Sequence, residues 1–180
     1  MGLGKTQFAY ESGEETPRFH LRDFLHRRWS DLDAHEKGRL TPEQKEFIDA
    51  VGVVNETRFE HIYYAGEEGK DAAIRKAREI ISNQLVMLAE LTDEMGEEMT
   101  HEGFHMSVNA QEYDERADTP GEVSVTLMRN GRSIATIYQK ILGGALHDIM
   151  NDKRDKEHFR ETIRGAIEKQ ERARTLRQAA

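Results

Sequence analysis

Val123-Ser124-Val125-Thr126-Leu127-Met128-Arg129, then Asn130-Gly131, then Arg132-Ser133-Ile134-Ala135-Thr136-Ile137-Tyr138, is the β-signal that sets the fold class. Apolar and polar residues alternate on either side of Asn-Gly, and that dipeptide supplies the two positive φ values of a type I′ turn. Closing the turn sets Leu127 opposite Ile134, Val125 opposite Thr136 and Val123 opposite Tyr138. The resulting face is apolar. A lone two-stranded ribbon is marginal in water, so this hairpin must pack on helices or take a strand from another chain.

The helices that could receive it lie on both sides. Upstream, Ile74, Ala77, Ile81, Leu85, Leu88, Met95 and Met99 step along one stripe, which predicts a single rod over residues 71–99, on the order of 45 Å long. Thr41-Pro42-Glu43-Gln44 reads as a capping box with proline at the first turn, and Phe47, Ile48 and Val51 form the apolar face that follows. Thr16-Pro17 predicts an earlier helix through Leu21, Leu25, Trp29 and Leu32, closed by Gly38. Asn55 is expected to cap a helix carrying Phe59, Ile62 and Tyr63, ended by Gly66 and Gly69. Downstream, Leu142, Ala145, Leu146 and Ile149 begin one helical stretch, and Phe159, Ile163, Ala166 and Ile167 mark another. The expected class is mainly α (α+β): a helical bundle with one long central helix and a single β-hairpin near residues 123–138. Its parts are a polar arm (1–16), the helical domain with its hairpin (17–152) and a basic, charged C-terminal helix (153–180).

The 180 residues suit one domain. With 37% hydrophobic and 33% charged residues and a mean hydropathy of −0.79, each helix should be buried on one side only, which leaves faces for a partner or a second copy to cover. The chain holds no cysteine, which excludes disulfides, thiolate metal sites and cysteine nucleophiles. No apolar run reaches membrane-spanning length and residues 1–17 carry no signal-type segment, so the expected location is cytoplasmic or within a viral particle, with no membrane partner. The net charge of −8 is uneven. Nine Lys/Arg and five Asp/Glu follow position 152, against seventeen and twenty-nine before it, giving a tail of +4 on a body of −12.

His101-Glu102-Gly103-Phe104-His105 matches the H-E-x-x-H pattern. On a helix, His101 and His105 would share a face and could bind one zinc ion, with Glu102 as general base of a zinc-dependent hydrolase. Gly103 opposes that helix by roughly 1 kcal/mol relative to alanine, and only the acidic cluster of Glu112, Asp114, Glu115 and Asp118 follows. Glu98 with His101, and Glu102 with His105, have the spacing of di-iron ligands, but both pairs lie on one segment where such sites draw on several helices. Gly2-Leu3-Gly4-Lys5-Thr6 lacks the preceding strand of a phosphate loop. The same residues fit the myristoylation pattern without a basic cluster beside it.

The stretch Leu40-Thr41-Pro42-Glu43-Gln44-Lys45-Glu46-Phe47 through Ala65-Gly66 resembles the opening of the small terminase subunits of tailed phages, over about one sixth of the chain. That resemblance implies a nucleic-acid-binding assembly factor with a helix-turn-helix and a ring-shaped oligomer. His101-Glu102-Gly103-Phe104, followed by the hairpin with Ile134-Ala135-Thr136, resembles part of the gamma chain of soluble methane monooxygenase hydroxylases, a helical subunit without the metal site.

The residues point first to a non-enzymatic helical subunit without cofactor, which docks into a larger assembly such as a phage particle or a multi-subunit complex. Its partners would be other protein subunits or further copies of itself, contacted through Arg160, Arg164, Arg172, Arg174 and Arg177. Glutamates interleave with these arginines and no aromatic residue follows Phe159, which disfavours nucleic acid as the partner. The zinc hydrolase and the nucleic-acid-binding assembly factor are the two alternatives.

Overall fold

Residues 23–25, 27–57, 69–142 and 146–180 are described by the computed structural model. Among them the order is α1 (Ala34–Gly38), α2 (Pro42–Glu56), α3 (Lys70–Glu94), α4 (Gly96–His101), β1 (Phe104–Gln111), β2 (Glu122–Arg129), β3 (Arg132–Ile141), α5 (Leu146–Met150) and α6 (Lys156–Ala179). The fold is α+β, with six helices and a three-stranded antiparallel sheet of order β1-β2-β3 among the described residues.

Capping chemistry sets where the first helices begin. The Thr41 hydroxyl accepts a hydrogen bond from the Gln44 amide (3.2 Å) and the Gln44 side chain accepts one from the Thr41 amide (2.9 Å), which starts α2 as expected. A second box, Asp33 with Glu36, starts α1. The expected continuous helix through Trp29 and Leu32 is therefore replaced by one 3₁₀ turn at Trp29–Asp31 and a fresh start at Ala34. Asn55 lies inside the last turn of α2 instead of capping a new helix. The arm 1–16, the Thr16-Pro17 cap, the glycine-rich start and the helix expected around Phe59, Ile62 and Tyr63 lie outside the described residues.

The apolar stripe of α3 is real: Ala77, Ile81, Leu85 and Leu88 are completely buried. The single rod over residues 71–99 is corrected to two helices, because the backbone leaves the helical basin at Met95 (φ −94°, ψ 4°), beside Gly96. Both Met95 and Met99 stay in the core.

The single hairpin is corrected to a three-stranded meander. Gly103 takes φ +77°, which ends the helical path and turns the chain into β1. Phe104, Met106 and Val108 point inward and alternate with outward residues. Met106 stands opposite Leu127, and Val108 opposite Val125.

The Asn130-Gly131 turn forms with φ of +51° and +71°, as a type I′ turn requires. The register beyond it departs from the simple expectation. Leu127 faces Ala135 instead of Ile134, and Val125 faces Tyr138 instead of Thr136, because irregularities between Leu127 and Met128 and between Val125 and Thr126 each let β3 gain one residue. The second places consecutive residues Ile137 and Tyr138 both inside the core.

The inner face of the sheet packs on the helices in one continuous core, with α2 against β1 and α6 against β3. Along the outer edge of β1, the Glu46 carboxylate of α2 accepts a hydrogen bond from the Val108 amide at 2.8 Å. Helix α6 begins where the Asp155 side chain caps the His158 amide, and it buries Phe159, Ile163 and Ile167.

Gly103 tests the switch from helix to strand. Nothing lies within 4 Å of a Cβ built there, so the cost of Gly103→Ala is the positive φ alone, expected to destabilise the protein by about 1–2 kcal/mol. Urea unfolding followed by circular dichroism measures it. A stabilised variant, as helix propensity alone would give, would mean that the helix runs through this position.

Candidate functional site

Three groups of residues could carry function: the His101–His105 segment, a buried ionic knot beside β3, and the arginines of α6.

The helix on which the zinc alternative depends is absent. His101 is the last residue of α4, with its side chain 85% exposed, Gly103 reverses the backbone, and His105 is an exposed, outward position of β1. His101 Nδ1 sits 3.5 Å from Glu102 Oε1. The two imidazoles therefore do not occupy successive turns of one helix face, and Glu102 has no pair of ligands to serve. Glu98, the carboxylate of the di-iron spacing, instead faces Arg164 at 3.9 Å. Among the described residues no group of three or more histidines and carboxylates could hold a metal ion.

The ionic knot follows from the chain's path out of β3. Lys140, near the end of that strand, meets Asp152 at 2.7 Å, and Arg154 grips the same carboxylate with Nη2 at 2.7 Å and Nε at 3.0 Å. The Asp152 side chain is only 5% exposed. Burial alone would raise its carboxyl, but hydrogen bonds from Arg154 and Lys140 outweigh that and hold it well below the usual carboxylate range. The Arg154 guanidinium also lies over the rings of Tyr138 and Phe159, 5.3 Å from each centroid. With both cations already committed to Asp152, the knot fastens β3 to the start of α6 and presents neither a free base nor a free acid.

The five arginines expected to face a partner divide into two sets. On the proximal half of α6, Arg160 pairs with Glu94 at 2.9 Å and with Glu157, while Arg164 faces Glu98. Lys156 adds contacts to Glu90 at 3.2 Å and to Glu94. Hydrogen bonding from Lys156, reinforced by Arg160, lowers the Glu94 carboxyl from its ordinary range. This half of the basic tail is spent on the acidic side of α3 and α4, the protein's own body.

The distal half is different. Arg129 of β2 pairs with Glu171, the outermost side-chain ion pair that ties α6 to the rest of the fold among the described residues. Arg172 and Arg174 pair only with Glu168 (3.4 Å) and Glu171 (3.8 Å) of their own helix, and Arg177 has no ion-pair partner among the described residues. Ile167 is the last buried side chain of α6, yet the helix continues to Ala179, roughly 18 Å further. Leu176, 72% exposed, sits in this extension. Sequence reasoning passed over Leu176, because a lone leucine in a charged tail has no periodicity to mark it.

Comparison of the chain with protein-family models, with curated proteins and with solved structures finds no match.

The knot makes a stability prediction with a definite sign. Asp152→Asn leaves the largely buried Lys140 uncompensated and is expected to cost about 3 kcal/mol near neutral pH. Because the folded carboxyl is depressed, its contribution is complete above the unfolded value of roughly 4 and fades as pH falls below it toward the folded value. Urea titrations of both proteins should show their stability gap shrinking on acidification; a gap that stays constant or widens would mean that the carboxylate is not held by its cations.

Proposed function

We propose that this chain is a non-enzymatic α+β subunit that docks into a larger protein assembly, with the distal end of α6 as its contact element. The observation that carries the reading is Leu176, 72% exposed on a helix that outruns its own core and is flanked by Arg172, Arg174 and Arg177. A few helical turns without tertiary packing are marginal in water. An apolar residue ringed by arginines on such a projection suits an acidic acceptor surface with a small apolar recess, in which the leucine anchors and the guanidiniums orient. The proximal arginines then serve a separate end: they seat α6 on α3 and α4 so that its tip is held at a fixed angle.

Charge reversal at the tip tests this. Arg172, Arg174 and Arg177 are exposed, so replacing all three with glutamate should leave stability within about 0.5 kcal/mol of wild type per site. The same variant should lose at least tenfold in the yield of any partner captured from source cells by the tagged chain and identified by mass spectrometry. A wild-type protein that captures nothing and stays monomeric in native mass spectrometry would defeat the proposal. A gel shift at two ionic strengths separates it from the nucleic-acid reading, since DNA affinity that falls steeply with salt belongs only to the latter.

A further inference from the structure

The tip of α6 has a counterpart elsewhere on the same molecule. The β1–β2 loop carries Glu112, Asp114, Glu115 and Asp118 against the single cation Arg116. Glu112 and Glu115 are exposed and form no ion pair among the described residues. The loop is held open in a fixed shape. Asp114 and Thr119 exchange backbone hydrogen bonds (3.0 and 3.1 Å), the Asp114 carboxylate accepts from the Arg116 amide at 2.9 Å, and the Tyr113 hydroxyl donates to Asp118 at 2.9 Å.

The register of the sheet puts these two surfaces at opposite ends. Gln111 and Glu122 pair beside the acidic loop, whereas Phe104 and Arg129 pair at the far end, by the Asn130-Gly131 turn. Helix α6 runs in that second direction, from Phe159 against Tyr138 to Glu171 against Arg129. Its arginine-rich tip therefore points away from the acidic loop, which lies a strand length of roughly 25 Å behind. The two cannot meet within one chain.

Resting on the docking reading above, we propose that the acceptor of the α6 tip is the β1–β2 loop of a second copy, so that copies associate head to tail. From Arg172 to the end the tip carries three arginines and no acid, and the loop is net negative, so the charges are complementary in sign and similar in number. Each copy offers one donor and one acceptor on opposite poles, a heterologous contact that propagates into a ring or an open chain instead of stopping at a two-fold dimer.

Sedimentation velocity of the full chain over a concentration series is the test. The average mass should climb with concentration at low salt and return to that of the monomer after a roughly tenfold rise in ionic strength. Glu112→Lys with Glu115→Lys, which spares the structural Asp114 and Asp118, should weaken association at least tenfold, as should Arg172→Glu with Arg174→Glu and Arg177→Glu. An equimolar mixture of the two variants should associate again, since each then supplies the charge that the other lacks. Monomeric wild type at every concentration, or association indifferent to both sets of substitutions, would overturn the head-to-tail contact. If monomeric wild type still captured another protein through the α6 tip, only the identity of the partner would be wrong; a tip variant capturing as much as wild type would remove the docking reading as well.

Discussion

The hydrogen bond from the Tyr138 hydroxyl to Gln84 Oε1, 2.9 Å long and fully buried, joins the sheet to α3 at the point where the other layers converge. Its ring stands edge-on to Phe159 of α6, with centroids 6.0 Å apart, and Arg154 covers both rings while clamping Asp152. Burial pushes the phenol well above its ordinary range, so it remains a neutral donor to an amide that would otherwise be an unsatisfied polar group in the core. The irregular register that turns Ile137 and Tyr138 inward together is what makes this convergence possible. Strand, rod and terminal helix thus depend on one polar contact set in an apolar surround.

Much of the architecture was legible because it rests on local rules. The Asn130-Gly131 turn, the Thr41 capping box, the stripe from Ile74 to Met99 and the burial of Phe159, Ile163 and Ile167 all appear where turn chemistry and periodicity put them. Other features are set by competition that a local pattern cannot weigh. Phe104, Met106 and Val108 alternate as a strand should, but they follow directly on a helical stripe, and the change of period is carried by Gly103 alone. The two bulges of β3 reflect which residues the core accepts, information absent from the strand itself. The Asp33–Glu36 box is short and easily read as part of a longer helix that ran through Trp29. For the candidate site, the sequence pointed to the right helix but could not apportion its arginines. Whether Arg160 meets Glu94 or a partner depends on how α6 lies across α3, a separation of more than sixty residues along the chain.

The uneven charge of the chain is resolved by that arrangement. An acidic flank built from Glu90, Glu94 and Glu98 receives Lys156, Arg160 and Arg164 in order, a ladder that fixes the direction as well as the position of α6. Exposed pairs of this kind contribute little individually to stability. Their value lies in orientation: Phe159, Ile163 and Ile167 supply the apolar contact, and the charges select one angle for it. The former zinc candidate sits nearby with a plainer role, as the corner where α4 gives way to β1.

The contact between Glu46 and the Val108 amide reaches beyond its own neighbourhood. An outermost strand invites any extended peptide to continue the ladder, and a carboxylate seated on one of its amides, with α2 alongside, closes that invitation on the β1 side. On the opposite border, the kinks in β3 spoil the straight spacing a newcomer would need. Three strands are thus a finished sheet, and polymeric growth by cross-β templating is discouraged at both margins.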